Sequence, residues 1–343
     1  MLRPQPLSVL ISDSARERWG AAIEQHVQKS LDADQAADQT VQWVSPQSSP
    51  DAGGHYPCQV AYITRDITGA STKTRVLQDL QCFYEVMRAS PHLAWVHVHS
   101  AGADRPIFAE LRQRGIKVST SSGANAQPVA HTALGAVLAL GRRFPDLWAA
   151  QQAQRWTPLV ERPDVHDLTG QTAMVVGMGR IGAEIARMLL AIGMNVVGVS
   201  RTNALAQTWP LRCTYADMAV HLPSTHYLIL ACPLSPLTHQ LVNAHVLSSL
   251  PQGACVINVA RGEVVDQAAL IQALQSGHLH GAFLDVFETE PLDTASPLWR
   301  LPNVIISPHT AGHFAEHAER VQRLFLDNLS RFLSDTPLHN EYL

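Results

Sequence analysis

The sequence predicts an α/β protein of two doubly wound parallel-sheet domains, one inserted between two pieces of the other. Three observations predict it. The chain has 343 residues, more than the roughly 250–300 at which a single hydrophobic core stops growing. Short β-branched runs alternate with helical patterns through the first third, and six further strand-like runs repeat the alternation after residue 170. Such alternation implies βαβ units and parallel sheets.

In chain order, the first alternation is LSVLIS, TVQWV, CQVAYIT, LAWVHVHS and IKVST. SPQSSPDAGGHYP interrupts it as a Pro/Gly/Ser loop, and helices are expected over 73–90 and 104–114. Residues 125–143 form an Ala/Leu-rich helix whose end is marked by Pro145. The segment 147–160, with Trp148 and Trp156 and no clear strand, reads as a crossing point between domains. The second alternation follows as TAMVVGMG, NVVGVS, YLILAC, ACVINV, GAFLDV and NVIISP, and six is the strand count of a Rossmann sheet. A last amphipathic helix, 314–333, carries Val321, Leu324, Phe325, Asn328, Leu329 and Phe332 at helical spacing and leads to no strand. It is expected to cross back to the first domain. The domains are then 1–124 with 313–343, and 125–312, the latter a Rossmann domain inserted into a flavodoxin-like one.

Composition narrows the function classes. Apolar residues make up 46% and the formal charge is -4 with no block of one sign, which argues against a nucleic-acid stripe or a polybasic membrane patch. The five cysteines are widely spaced, without CxxC or zinc-type clusters, and read as reduced core residues. The first apolar run, residues 7–11, is too short for a signal-peptide core or a membrane span. These features predict a soluble cytoplasmic protein with a small-molecule partner.

Gly177-Met178-Gly179-Arg180-Ile181-Gly182 matches GxGxxG between a strand-like run and the helical pattern of 183–192. In a dinucleotide site the first glycine permits the turn, the second admits a pyrophosphate and the third lets helix pack on strand, with the N–H groups of Arg180 and Ile181 facing the anion. Glycines also arise in such turns for packing alone. An NAD site usually places Asp or Glu about 20 residues on, to bind the ribose 2′-hydroxyl. Eighteen residues past Gly182 the sequence instead reads Ser200-Arg201-Thr202. Two hydroxyls and a guanidinium suit a 2′-phosphate, so NADP(H) is favoured with NAD(H) possible, the alternative being that Arg201 is an ordinary surface residue.

Three motifs then follow: VARG with Arg261, DVFETEP with Asp285 and Glu290, and SPHTAG with His309. Each falls just past a strand C-terminus, where open α/β sheets bind ligands. Taken singly, Arg261 fits a structural ion pair, Glu290 an exposed turn and His309 a surface histidine. Together they supply what reduction of a 2-oxo acid needs. Arg261 can grip a carboxylate and polarise the carbonyl, His309 can protonate its oxygen as hydride arrives, and Glu290 can stabilise the imidazolium. Asp285 is placed to orient the nicotinamide carboxamide.

The chain resembles the D-isomer-specific 2-hydroxyacid dehydrogenase family, and within it the glyoxylate/hydroxypyruvate reductase-like branch. The resemblance is carried by GMGRIG, CPLSPLTHQLVN, INVARGEVVD, GAFLDVFETEPL and LPNVIISPHTAG in family order, with LAWVHVHSAGAD and GIKVSTSSGANAQPVAHTALGAVLAL before them, and spans about residues 58–330. It implies that Arg261 binds substrate, that Glu290 and His309 form the acid–base pair, and that the N–H groups of Ala101 and Gly102 hold the carboxylate. Pro233, Thr238, Val259, Ala260 and Asp285 would line the cofactor. It also implies a homodimer built on the cofactor domain, with 148–156 as a candidate arm. His131-Thr132 stands where relatives commonly carry Glu-His. The other readings are an NAD-dependent enzyme of another D-2-hydroxy acid, and a corepressor-like protein that senses the dinucleotide.

Overall fold

The computed structural model describes residues 6–30, 40–69, 71, 75–161, 165–201 and 211–342. The chain divides into two compact units, Met1–Ala124 with Ala315–Leu343, and Asn125–Phe314. The second crossing therefore falls two residues later than the motif pattern places it.

The first unit opens with β1 (Leu7–Leu10) and α1 (Asp13–Lys29), then β2 (Val41–Val44), β3 (Val60–Ile63), α2 (Arg65–Thr68), α3 (Gln78–Arg88), β4 (Trp95–Val98), α4 (Pro106–Gln113) and β5 (Lys117–Thr120). Every pairing is parallel and the strand order is 2-1-3-4-5, the flavodoxin-like order. Local sequence explains the ends of the elements. Ser12 caps α1 by accepting the Ala15 N–H at 3.1 Å, and Pro106 opens α4, where a missing N–H costs nothing. The helix expected over 73–90 begins at Gln78; residues 73 and 74 lie outside the described residues. Two histidines of the HVHS run are buried. His97 sits between the Ser119 and Ser121 hydroxyls at 2.8 and 3.1 Å, and burial pushes its imidazole down to about 3. It is a neutral core residue.

The second unit starts with α5 (Ala126–Gly141) and α6 (Phe144–Gln152). Arg143 takes a left-handed φ of 60°, and Pro145 lies in the first turn of α6, so the proline begins a second helix as well as ending the first. The sheet is built from β6 (Thr172–Val176), β7 (Asn195–Ser200), β8 (Leu211–Thr214), β9 (Tyr227–Leu230), β10 (Ala254–Asn258), β11 (Leu279–Leu284) and β12 (Val304–Ile306). Helices α7 (Arg180–Ala191), α8 (Ala244–Ser249) and α9 (Gln267–Gln275) lie between them in sequence. The order is β12-β11-β10-β9-β6-β7-β8, all parallel. This is the Rossmann order with a further strand, and it corrects the six expected strands to seven. The strand that sequence reading misses is β8, LRCT, a four-residue edge strand with one buried residue, too short and too polar to stand out. Buried side chains line both faces of the sheet.

The chain returns to the first unit in α10 (His317–Leu333), three residues later than the expected start at 314. Its stripe of Val321, Phe325, Leu329 and Phe332 packs with Leu7, Val9 and Trp95. Phe325 stacks on Tyr62 at 4.1 Å between ring centroids and on Trp95 at 5.3 Å. Residues after the helix run along β5: the Asn340 carbonyl accepts from Thr120 N–H, and Tyr342 N–H bonds Val118 O at 2.8 Å. No described helix is long and apolar enough to cross a membrane.

Candidate active site

The order of the second sheet reverses between β6 and β9, so the loops after these strands flank its switch point, where open α/β sheets take ligands. The glycine loop follows β6. Gly177 has φ +100°, and a Cβ there would lie 2.5 Å from both N and Cα of Cys232. A Cβ at Gly182 would sit 2.0 Å from Gly177 O. The protein's own packing therefore requires these two glycines. Gly179 is different: a Cβ there would meet nothing within 4 Å. It caps α7, and the first-turn N–H groups of a helix, here from Arg180 and Ile181, have no carbonyl of their own helix to bond. Open space before a helix N-terminus fits a pyrophosphate.

β7 ends at Ser200, exposed Arg201 follows, and Thr202 lies outside the described residues. Tyr215 joins this corner. Burial pushes its hydroxyl up to about 12, the Cys232 thiol adds to this, and the Arg201 charge opposes it. Cys232 is buried, its thiol pushed up to about 11 by desolvation, as suits a small core residue. After β9, Pro233 is exposed while Thr238 is only 1% exposed. The Thr238 hydroxyl lies 2.7 Å from Pro233 O and accepts the Ser235 N–H at 2.8 Å, so it ties its own loop together.

Arg261 follows β10 on a turn that continues into a 3₁₀ segment, Gly262–Val264. Val259 and Ala260 before it are buried. Asn258, 1% exposed at the strand end, clamps this turn: its amide donates to Arg261 O at 3.1 Å and accepts from Ala260 N–H at 3.0 Å. The guanidinium is half-buried, with Nη1 donating to Ala260 O at 2.7 Å. Gly262 is pressed against the loop after β11, where a Cβ would lie 1.8 Å from Phe287 C. Main chain thus meets main chain between the Arg261 turn and the Glu290 loop.

In that loop Glu290 Oε1 accepts the Phe287 N–H at 3.1 Å, and Oε2 lies 2.7 Å from His309 Nδ1. Burial pushes the Glu290 carboxyl up, but the His309 hydrogen bond and charge, the Phe287 N–H and the Arg261 charge together hold it below its ordinary value. Arg261, Glu290 and His309 are thereby brought into one electrostatic group. The His309 side chain is 50% exposed, open to a reacting partner. Its backbone φ is +51°, a left-handed conformation that a non-glycine residue adopts at a cost. Asp285 is 3% exposed and accepts from Ser307 Oγ and from the N–H groups of Thr310 and Ala311. Thr132 of α5 reaches the same loop, its hydroxyl 3.1 Å from Ala311 O. Ala101 and Gly102 belong to the first unit, on the turn after β4, where Ser100 Oγ donates to Gly102 O at 2.7 Å. Among the described residues no group of His, Cys, Asp or Glu is placed to hold a metal ion.

Asn258, Gly262, Thr132 and Tyr215 are the site residues that sequence reasoning missed. Asn258 left a signal, a lone amide ending the apolar run ACVI; Gly262 stood in VARG and Thr132 in the His131-Thr132 departure without a role being read for either, and Tyr215 left none.

This geometry agrees with the comparisons. Residues 134–311 match the family model for the D-isomer specific 2-hydroxyacid dehydrogenase, NAD binding domain. A glyoxylate reductase of Korarchaeum cryptofilum is 32% identical over 252 residues, covering 72% of this chain and 75% of its own. The glyoxylate/hydroxypyruvate reductase HPR3 of Arabidopsis thaliana is 31% identical over 254 residues, 74% of this chain and 77% of its own. Among solved structures, a D-isomer specific 2-hydroxyacid dehydrogenase from Xanthobacter autotrophicus Py2, in complex with NADPH and MES, superposes with a TM-score of 0.73 at 28% identity. The match covers 98% of this chain and 97% of that one. The chain belongs to the D-isomer specific 2-hydroxyacid dehydrogenase family and is an NAD(P)-dependent oxidoreductase.

Proposed function

We propose that the protein is an NADP(H)-preferring reductase that converts small 2-oxo acids, of the glyoxylate or hydroxypyruvate type, to D-2-hydroxy acids. The observation that carries this reading is the 2.7 Å contact of Glu290 with His309, with the Arg261 charge acting on the same carboxylate. When bound, the reduced dinucleotide supplies the hydride. Arg261 holds the substrate carboxylate and polarises the 2-oxo group. His309 donates a proton from Nε2 to the carbonyl oxygen, while Glu290, bonded at Nδ1, fixes the ring and stabilises the imidazolium from which the proton leaves. The glycine loop and the first turn of α7 hold the pyrophosphate.

Ser200 and Arg201 at the end of β7, where an acidic residue would disfavour a 2′-phosphate, support the NADP(H) preference. The NADPH complex of the Xanthobacter relative supports it too. Homodimerisation on the second unit is supported by Phe144, Trp148, Trp156 and Val160, 54%, 67%, 96% and 89% exposed, on and just after α6. All five cysteines are free, in keeping with a cytoplasmic location.

The test is oxidation of NADPH, beside NADH, with a panel of 2-oxo acids. Turnover with none of them would leave the protein as a dinucleotide-binding module. Arg261→Ala is expected to abolish turnover while NADPH still binds; near-normal catalysis in that variant refutes the assignment. Arg201→Ala is expected to raise the KM for NADPH far more than that for NADH, and an equal effect on both removes the 2′-phosphate argument.

A further inference from the structure

We infer that His97 is a positioning residue for the substrate: through Ser121 it fixes the turn after β4, whose Ala101 and Gly102 N–H groups receive the substrate carboxylate. The inference rests on the reading of those two N–H groups as carboxylate holders.

The hydrogen bonds around His97 can run in one direction only. Trp95 Nε1–H donates to Ser119 Oγ at 2.8 Å. Ser119 Oγ lies 2.8 Å from His97 Nδ1, and Ser121 Oγ lies 3.1 Å from His97 Nε2. Ser121 Oγ also lies 2.9 Å from Val98 O, which can only accept, so the single proton of that hydroxyl is committed there. His97 Nε2 is therefore the donor to Ser121. Burial holds the imidazole neutral, so Nδ1 carries no proton and accepts from the Ser119 hydroxyl. The chain runs Trp95, Ser119, His97, Ser121, Val98, and one tautomer of the ring satisfies every member. All four side chains are buried, where an unpaired polar group is costly and a fully satisfied network specifies one arrangement.

This chain ends where the turn begins. The regular pairing of β4 with β5 stops at Val98 and Thr120, so the next residue, Ser121, carries the register onward. It does so at two points: its hydroxyl donates to Val98 O, and its N–H donates to Ser100 O at 2.9 Å. Ser100 then closes the turn, Oγ donating to Gly102 O at 2.7 Å. Two partners on one oxygen, Val98 O and the His97 N–H, hold the Ser121 side chain in a single rotamer. A turn held in this way presents its N–H groups to an anion without having to order them first, which favours binding. A carboxylate gripped equally in ground and transition states lowers KM and leaves kcat alone. Loss of the positioning therefore shows in KM.

The experiment is steady-state kinetics on the full-length chain with NADPH and a 2-oxo acid, with inhibition by oxalate and thermal unfolding of the same variants. Ser121→Ala is expected to raise the 2-oxo acid KM and the oxalate inhibition constant about tenfold, the scale of one hydrogen bond to a charged group, with kcat and the KM for NADPH unchanged. His97→Leu is expected to give the same split and carries the test should Ser121→Ala not fold. The double variant is expected to be no worse than Ser121→Ala alone, because His97 acts through Ser121. His97→Gln, whose amide N–H can reach Ser121 from the place of Nε2, restores most of the KM. A merely structural role would lower Tm in these variants and keep the 2-oxo acid KM at wild type; that result, or effects that multiply in the double variant, overturns the inference. Ala101→Pro deletes one of the two N–H groups and tests the reading of the turn by itself. An unchanged KM there overturns that reading and the inference with it, whereas a raised KM there beside a wild-type KM in Ser121→Ala overturns the inference alone.

Discussion

Alanine at position 262 would place a methyl group where the protein has no room. The added Cβ would lie 1.8 Å from Phe287 C, 2.1 Å from Phe287 O and 2.3 Å from Glu288 N. Carbon atoms in contact sit about 3.5 Å apart, so the two segments must separate by roughly 1.5 Å. All three opposing atoms are main chain, and no rotamer can absorb the shift. Gly262 is not among the residues with positive φ, so alanine itself is conformationally acceptable and the whole effect comes from this contact. The separation falls between Arg261, one residue away, and the loop in which Phe287 N–H holds Glu290. Overpacking of this kind costs about 1–3 kcal/mol of stability. A displacement of an ångström or more between substrate-binding and proton-donating groups costs about 100-fold in rate. Steady-state kcat/KM with NADPH and a 2-oxo acid should therefore fall by about that factor, with a smaller effect expected on NADPH affinity, since the proposed pyrophosphate site lies on the loop after β6. A Gly262→Ala enzyme with wild-type kcat/KM would refute the reasoning.

Three further outcomes are expected. The Glu290 carboxyl titrates below its ordinary value of 4.5 despite the upward push of burial, so its ionised form stabilises the fold above that pH, and the contribution is lost as pH falls through the depressed value. Glu290→Gln should be less stable than wild type at neutral pH, with the gap closing in strong acid; denaturant titrations that show a constant gap would count against this. Gly177→Ala meets the main chain of Cys232 at 2.5 Å from a φ of +100°, so NADPH binding should be lost in a fluorescence titration, and retained affinity would show that the loop is not the pyrophosphate site. Phe325→Ala removes a fully buried ring stacked between Tyr62 and Trp95, and should destabilise the first unit by about 3–5 kcal/mol in denaturant unfolding, with a loss under 1 kcal/mol arguing against that packing.

Much of the site was legible because its parts sit at strand ends, and strand ends are written locally. An apolar run followed by Arg261, by Asp285 or by the SPH triplet marks a strand end, the edge where open α/β sheets take ligands, although only the structure shows that Asp285 there is buried and bonded within the protein. The edge strand β8 was not legible, since its four residues bury one side chain and leave no pattern to detect. Nor could local pattern tell that Pro145 opens a helix after closing another, because the same ring ends one helix and favours the first turn of the next.

The sequence by itself determined the two α/β sheets and the glycine loop, and put Arg261, Glu290 and His309 at strand ends as candidates, because hydrophobic period and turn chemistry act over a few neighbouring residues. Only the tertiary structure decided how those groups are held. Gly262 meets Phe287, Asp285 gathers the N–H groups of Thr310 and Ala311, and Thr132 reaches Ala311 from the far end of the unit. Each is a contact between distant stretches of chain, created when parallel pairing sets β10, β11 and β12 side by side, and no local pattern encodes which loops that order will bring together.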